Sequence, residues 1–98
     1  MAAFISLLNF TELGVKNFRS SPDRSEAFKA MAKKMGVTVK DIYWTIGAYD
    51  IVLVLDAPDD ETVAALIFSL ASLGNVKTQT LRAFDSTQLK KIISKATS

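Results

Sequence analysis

The stretch IGAYDIVLVLDAPDDE, residues 46–61, opens on a turn and then runs apolar from Ile51 to Leu55 without a polar break. Successive side chains of a strand point to opposite faces, so a strand with one wet face alternates apolar and polar residues. The unbroken run therefore predicts a strand covered on both faces. The preceding Gly47-Ala48-Tyr49-Asp50 reads as a turn, with Gly supplying a positive φ and Asp bonding back to the backbone. Asp59 is placed to cap the next helix, and Asp60 and Glu61 fall in its first turn, where carboxylates meet the positive end of the helix.

Working outward, residues 37–46 (VTVKDIYWTI) alternate and are rich in β-formers. They pair with 51–57 as an antiparallel hairpin. Upstream, Ser21 sits as a cap before Pro22, and Phe28, Met31, Ala32 and Met35 form a helical stripe that stops at Gly36. Thr11 caps a weaker helix interrupted by Gly14, so 11–35 reads as helical with a break near Ser20–Pro22. Residues 3–10 (AFISLLNF) form the first strand. Downstream, Val63, Leu66, Ile67 and Leu70 make a second helical stripe that ends at Gly74, and 75–84 (NVKTQTLRAF) alternate again as the last strand. Asp85 and Gln88 have the spacing of a capping box for a terminal helix carrying Leu89, Ile92, Ile93 and Ala96 on one face.

The order β-α-β-β-α-β plus a final helix predicts an α+β, ferredoxin-like domain over residues 1–98. Its four-stranded antiparallel sheet has the order 4-1-3-2, with an extra C-terminal helix. Strands one and three are central, which matches their two apolar faces. Two helices cover only one face. The other face needs a cover: a second copy packed sheet on sheet, or the C-terminal helix. A homodimer or higher homo-oligomer is the expected partner arrangement.

Composition narrows the chemistry. Of 98 residues, 49% are hydrophobic and 22% charged, enough apolar material for a folded core. The chain has neither Cys nor His, which removes disulfides, thiolate ligands, Cys nucleophiles and His acid–base catalysis. No metal and no cofactor are expected. The net charge of +2 is spread among interleaved acids, so no basic stripe suggests a nucleic-acid partner. No segment has the length of a membrane span and the start lacks a charged leader region, so a cytoplasmic location without membrane contact is expected.

The stretches EAFKAMAKKMGVTVKDIYWTIGAYDIVLVLDAPDDE and SLGNVKTQTLRAF, with their joint order and spacing, resemble the GYD domain family over roughly residues 3–95. The shared signature is Gly47-Ala48-Tyr49-Asp50, then Ala57-Pro58-Asp59-Asp60, then Gly74-Asn75-Val76. The resemblance implies a ferredoxin-like chain in a dimeric α/β-barrel type of assembly. A more distant resemblance, over residues 39–84, is to the C-terminal effector domain of Lrp/AsnC regulators. It implies amino-acid binding between subunits, with Gly47, Tyr49 and Asp50 on the hairpin signature. The helix-turn-helix of those regulators is absent, and the long broken first helix departs from their pattern.

Six residues are candidates for ligand contact. Tyr49 and Asp50 stand at the mouth of an intersubunit pocket in the functional reading, and in a plain hairpin turn in the structural one. Alternation puts Asp41 and Tyr43 on one face of the second strand and Trp44 on the other. Arg82 shares a face with Thr78 and Thr80, which suits a carboxylate, or else edge solvation or a salt bridge across a dimer. Ser6 interrupts an apolar strand, as Asn9 does on the opposite face, and each needs a polar partner. The first expectation is a small-molecule-binding or sensory module with an intersubunit pocket. The alternatives are a cofactor-independent enzyme using Asp41, Tyr43, Tyr49, Asp50 or Arg82, and a structural interaction module with a dry sheet interface.

Overall fold

The apolar run forms β3 (Ile51–Ala57), and it lies between β2 (Thr38–Trp44) and β1 (Ala2–Phe10), with β4 (Val76–Ala83) on the far edge. The computed structural model describes residues 1–97. All three pairings are antiparallel, and the order β2-β3-β1-β4 is the expected one read from the other edge. The helices are α1 (Glu12–Lys16), α2 (Ser21–Lys34), α3 (Asp60–Ser72) and α4 (Ser86–Thr97), with a 3-10 turn at Phe18–Ser20.

The two central strands alternate between faces as the pleat requires. Phe4, Ser6 and Leu8 of β1 and Ile51, Leu53, Leu55 and Ala57 of β3 are buried towards the helices. They pack with Phe28 and Ala32 of α2 and with Val63, Leu66 and Ile67 of α3. Ile5, Leu7, Val52 and Val54 point the other way and are only half-buried.

The expected helix break is present but shifted. α1 stops at Lys16 and α2 begins at Ser21, with the 3-10 turn between them. Ser21 is therefore the first residue of α2 instead of its cap, and Ser20 in the cap position makes no side-chain capping bond. The Ser21 hydroxyl is used elsewhere: it accepts a hydrogen bond from Trp44 Nε1 at 2.9 Å. Gly14 lies in α1 because the helix meets another segment there. A Cβ at Gly14 would stand 2.0 Å from the Asn75 carbonyl oxygen.

α4 opens on the reciprocal box read from the sequence. Gln88 N donates to Asp85 Oδ1 at 2.8 Å and Asp85 N donates to Gln88 Oε1 at 2.9 Å. Its apolar side chains Leu89 and Ile92 remain 49% and 39% exposed, so α4 does not serve as the cover of the sheet. The chain is elongated, 52 × 31 × 19 Å.

Candidate functional site

The face of the sheet away from the helices is built by register. Asp41, Val54, Ile5 and Leu81 lie in one cross-strand row, and Tyr43, Val52, Leu7 and Gln79 in the next. The result is an apolar centre flanked by Asp41 and Tyr43 on the β2 edge and by Gln79 and Lys77 on the β4 edge. Tyr43 is 57% exposed and Leu81 44% exposed, both large for side chains surrounded by apolar neighbours. A register shift between Val39 and Asp41 flips the parity of β2, so Thr38 and Asp41, three residues apart, share the open face. At this irregularity Lys40 reaches Asp56 of β3 at 3.7 Å.

The loop 45–50 closes one end of this face. Gly47 adopts φ +128, which a side chain would oppose. Thr45 N donates to the Asp50 carbonyl at 2.8 Å, and the Thr45 hydroxyl donates to the Tyr49 carbonyl at 2.6 Å. Asp50 N donates to the Leu8 carbonyl at 2.8 Å, and Asp50 Oδ2 accepts from Phe10 N at 2.8 Å. Asp50 thus secures the end of β1. Tyr49, its neighbour, sends its hydroxyl to Gln79 Oε1 at 3.0 Å. The Tyr43 hydroxyl approaches Asp41 Oδ1 at 3.5 Å, at the outer limit for a hydrogen bond.

Asp41, Tyr43 and Tyr49 therefore come together on the open face. Ser6 and Arg82 lie on the opposite face, towards the helices. Ser6 is fully buried and shares a 2.8 Å hydrogen bond with the Thr80 hydroxyl, its cross-strand partner. That bond satisfies the polar interruption in β1. Arg82 carries its guanidinium over Phe84 at 4.6 Å and Phe4 at 5.5 Å. It donates to the Ala3 carbonyl at 3.2 Å and also to the Ala83 carbonyl. Five of the six candidates thus divide between two faces, Asp50 is tied to the end of β1, and the six do not form one cluster.

The acidic run after β3 works as a cap. Asp59 Oδ1 accepts from Thr62 N at 2.7 Å. Hydrogen bonds from the Thr62 side chain and then its backbone hold the Asp59 carboxyl below the ordinary carboxylate value.

Two residues of interest escaped the sequence reading. Gln79 is one polar residue of an alternating edge strand, and only the register puts it beside Leu7 and within reach of Tyr49. Arg24 belongs to no motif. It stands four residues before Phe28 and seven before Met31, on the same helical stripe, and that spacing was its signal. Among the described residues, no helix is long and apolar enough to cross a membrane.

A Thermus thermophilus protein named glutamine synthetase and cystathionine beta-lyase binding protein is 39% identical over 84 residues, which cover 85% of this chain and 88% of that relative. No solved structure gives a significant match. The GYD domain model matches residues 4–93, and the chain belongs to the GYD domain family.

Proposed function

We propose that the protein is a small interaction module that self-associates through the open face of its sheet and binds a protein partner as the assembled oligomer. The observation that carries this is the apolar centre made by Ile5, Leu7, Val52, Val54 and Leu81, opposite the helix layer. Such a patch on one face of a sheet is stabilised by burial against a partner. A second copy suits this apolar centre: a two-fold axis parallel to the strands sets the β2 edge of one copy over the β4 edge of the other and covers the patch on both. The relative named for binding two enzymes supports a protein as the further partner, and those two enzymes are the first to test.

Sedimentation equilibrium tests the association. Wild type is expected to be oligomeric, and Leu81→Glu, which puts a charge on the exposed part of the apolar centre, to dissociate. A monomeric wild type overturns the reading. Binding of purified glutamine synthetase or cystathionine β-lyase by the wild type, and its loss in Leu81→Glu, tests the second half.

A ligand pocket between the two copies is a second reading, favoured by one observation. Tyr43, Tyr49 and Gln79 bring a phenol, a second phenol and an amide to the border of the apolar centre. These groups orient a small polar ligand at a sheet–sheet interface. Native mass spectrometry of freshly purified protein separates the two readings: extra mass on the oligomer supports the pocket, and bare chains support a dry interface.

A further inference from the structure

On the helix side of the sheet, a cavity of about 200 Å³ lies between α2, the end of α3 and the strands. Its walls are mostly apolar, with Phe28, Met31, Trp44, Leu53 and Leu70 among them. Ser21, Arg24 and Ser25, from the first turns of α2, supply polar atoms. Two of these are already engaged. The Ser21 hydroxyl accepts from Trp44 Nε1, and the Ser25 hydroxyl donates to the Pro22 carbonyl at 2.7 Å.

Arg24 is different. Its Nη1 donates to the Asn17 carbonyl at 2.9 Å and to the Ser20 hydroxyl. Its Nη2 is buried and has no hydrogen-bond partner, the sole buried side-chain nitrogen or oxygen in that condition among the described residues. No carboxylate stands within ion-pair distance of it among those residues. A buried cationic donor without an acceptor is costly, and a carboxylate or similar anion relieves that cost. Nη1 is fixed by two acceptors, so the guanidinium is already oriented and little entropy is lost when an anion meets Nη2.

We propose that this cavity binds a small hydrophobic carboxylate, with its anionic end on Arg24 Nη2 and its hydrocarbon along Phe28, Met31 and Trp44. The size supports a short acid. An apolar cavity on the order of 150 Å³ accepts a benzene ring, so the space here suits a single ring or a medium-length chain and excludes a long acyl chain. The site is separate from the proposed self-association surface, since the two lie on opposite faces of the sheet, and either can fail without the other.

The chain has one tryptophan, Trp44, and it lines the cavity, so its emission reports occupancy. Octanoate is the probe and 1-octanol the neutral control. Octanoate is expected to shift Trp44 emission saturably and to bind at least roughly tenfold tighter than 1-octanol. Arg24→Met is expected to erase that preference, whereas Arg24→Lys, which keeps the charge and guards against a folding defect, retains part of it. Circular dichroism of each variant checks the fold. Absence of a saturable shift, equal binding of acid and alcohol by the wild type, or an undiminished preference in folded Arg24→Met overturns the proposal.

Discussion

The Tyr49 hydroxyl donates to Gln79 Oε1 at 3.0 Å, so the loop between β2 and β3 is tied to the strand at the opposite edge of the sheet. Gln79 is exposed and water can replace the phenol. Tyr49→Phe is therefore expected to cost only about 0.5–1 kcal/mol, the net worth of one hydrogen bond near solvent. Urea unfolding followed by circular dichroism checks this, with an unchanged slope and a slightly lower midpoint.

Asp50 has a heavier structural duty than its neighbour. Its carboxylate accepts from Phe10 N at 2.8 Å at the last residue of β1, where strand pairing ends. Asp50→Ala leaves that amide without its acceptor, and the expected loss is about 1.5–3 kcal/mol, the range for a hydrogen bond to a charged group. Asp50→Asn keeps a carbonyl oxygen at the same reach and recovers part of it. Thermal unfolding gives the order wild type, Asn, Ala. Hydrogen exchange at the Phe10 amide gives the local reading, fastest in the Ala variant.

The fold was legible because it is written in periodicity. Ile51 to Leu55 without a polar break meant a central strand, and the reciprocal bonds of Asp85 and Gln88 follow from spacing alone. The candidate site was legible only in part. Alternation correctly separated Asp41 and Tyr43 from Trp44, because parity along one strand is a local property. It could not say that Ser6 and Arg82 share the helix-side face while Tyr49 meets Gln79 on the other. Those juxtapositions depend on the register between strands distant in sequence, which no local pattern carries. The helix start was misplaced by one residue: Ser21 already has helical φ -56 and ψ -42, and its hydroxyl accepts from Trp44 instead of capping.

Ser6 and Thr80 form a closed polar pair inside an otherwise apolar layer. Ser6 is fully buried and its 2.8 Å bond to Thr80 is cross-strand. Ser6→Ala leaves the Thr80 hydroxyl to find another partner, and the expected cost is about 1–2 kcal/mol. Thr80→Val alone costs a similar amount. The double variant is expected to lose less than the sum, by about 1 kcal/mol, because removing both hydroxyls leaves neither unsatisfied. A double-mutant cycle in chemical denaturation checks it, and strict additivity would show that the pair is not coupled.

Gly14 is the position where a single methyl matters most. Its added Cβ would meet the Asn75 carbonyl oxygen at 2.0 Å and Phe10 Cδ1 at 3.0 Å. The Asn75 carbonyl cannot retreat cheaply, because it accepts from Thr11 N at 3.0 Å at the start of α1. Helix propensity favours Ala over Gly by up to about 1 kcal/mol, yet the clash is larger. Gly14→Ala is expected to lower stability by about 2 kcal/mol or more, against the propensity trend. Calorimetry decides between the two effects by the sign of the shift in melting temperature.

The Asp59 cap predicts a pH dependence whose sign is fixed by the direction of its shift. Bonds from Thr62 hold the folded carboxyl below its ordinary value of 3.8. A group lowered on folding binds fewer protons in the native state than in the unfolded one, so its contribution is complete above that ordinary value. It is lost as pH falls from 3.8 through the folded value. Asp59→Asn keeps an acceptor for Thr62 N but cannot titrate. The stability advantage of wild type over Asp59→Asn is therefore expected to be constant near neutrality and to shrink in acid. Paired urea titrations across that range measure it. An advantage that stays constant into strong acid would mean that Thr62 bonds the charged and neutral forms of the carboxyl equally.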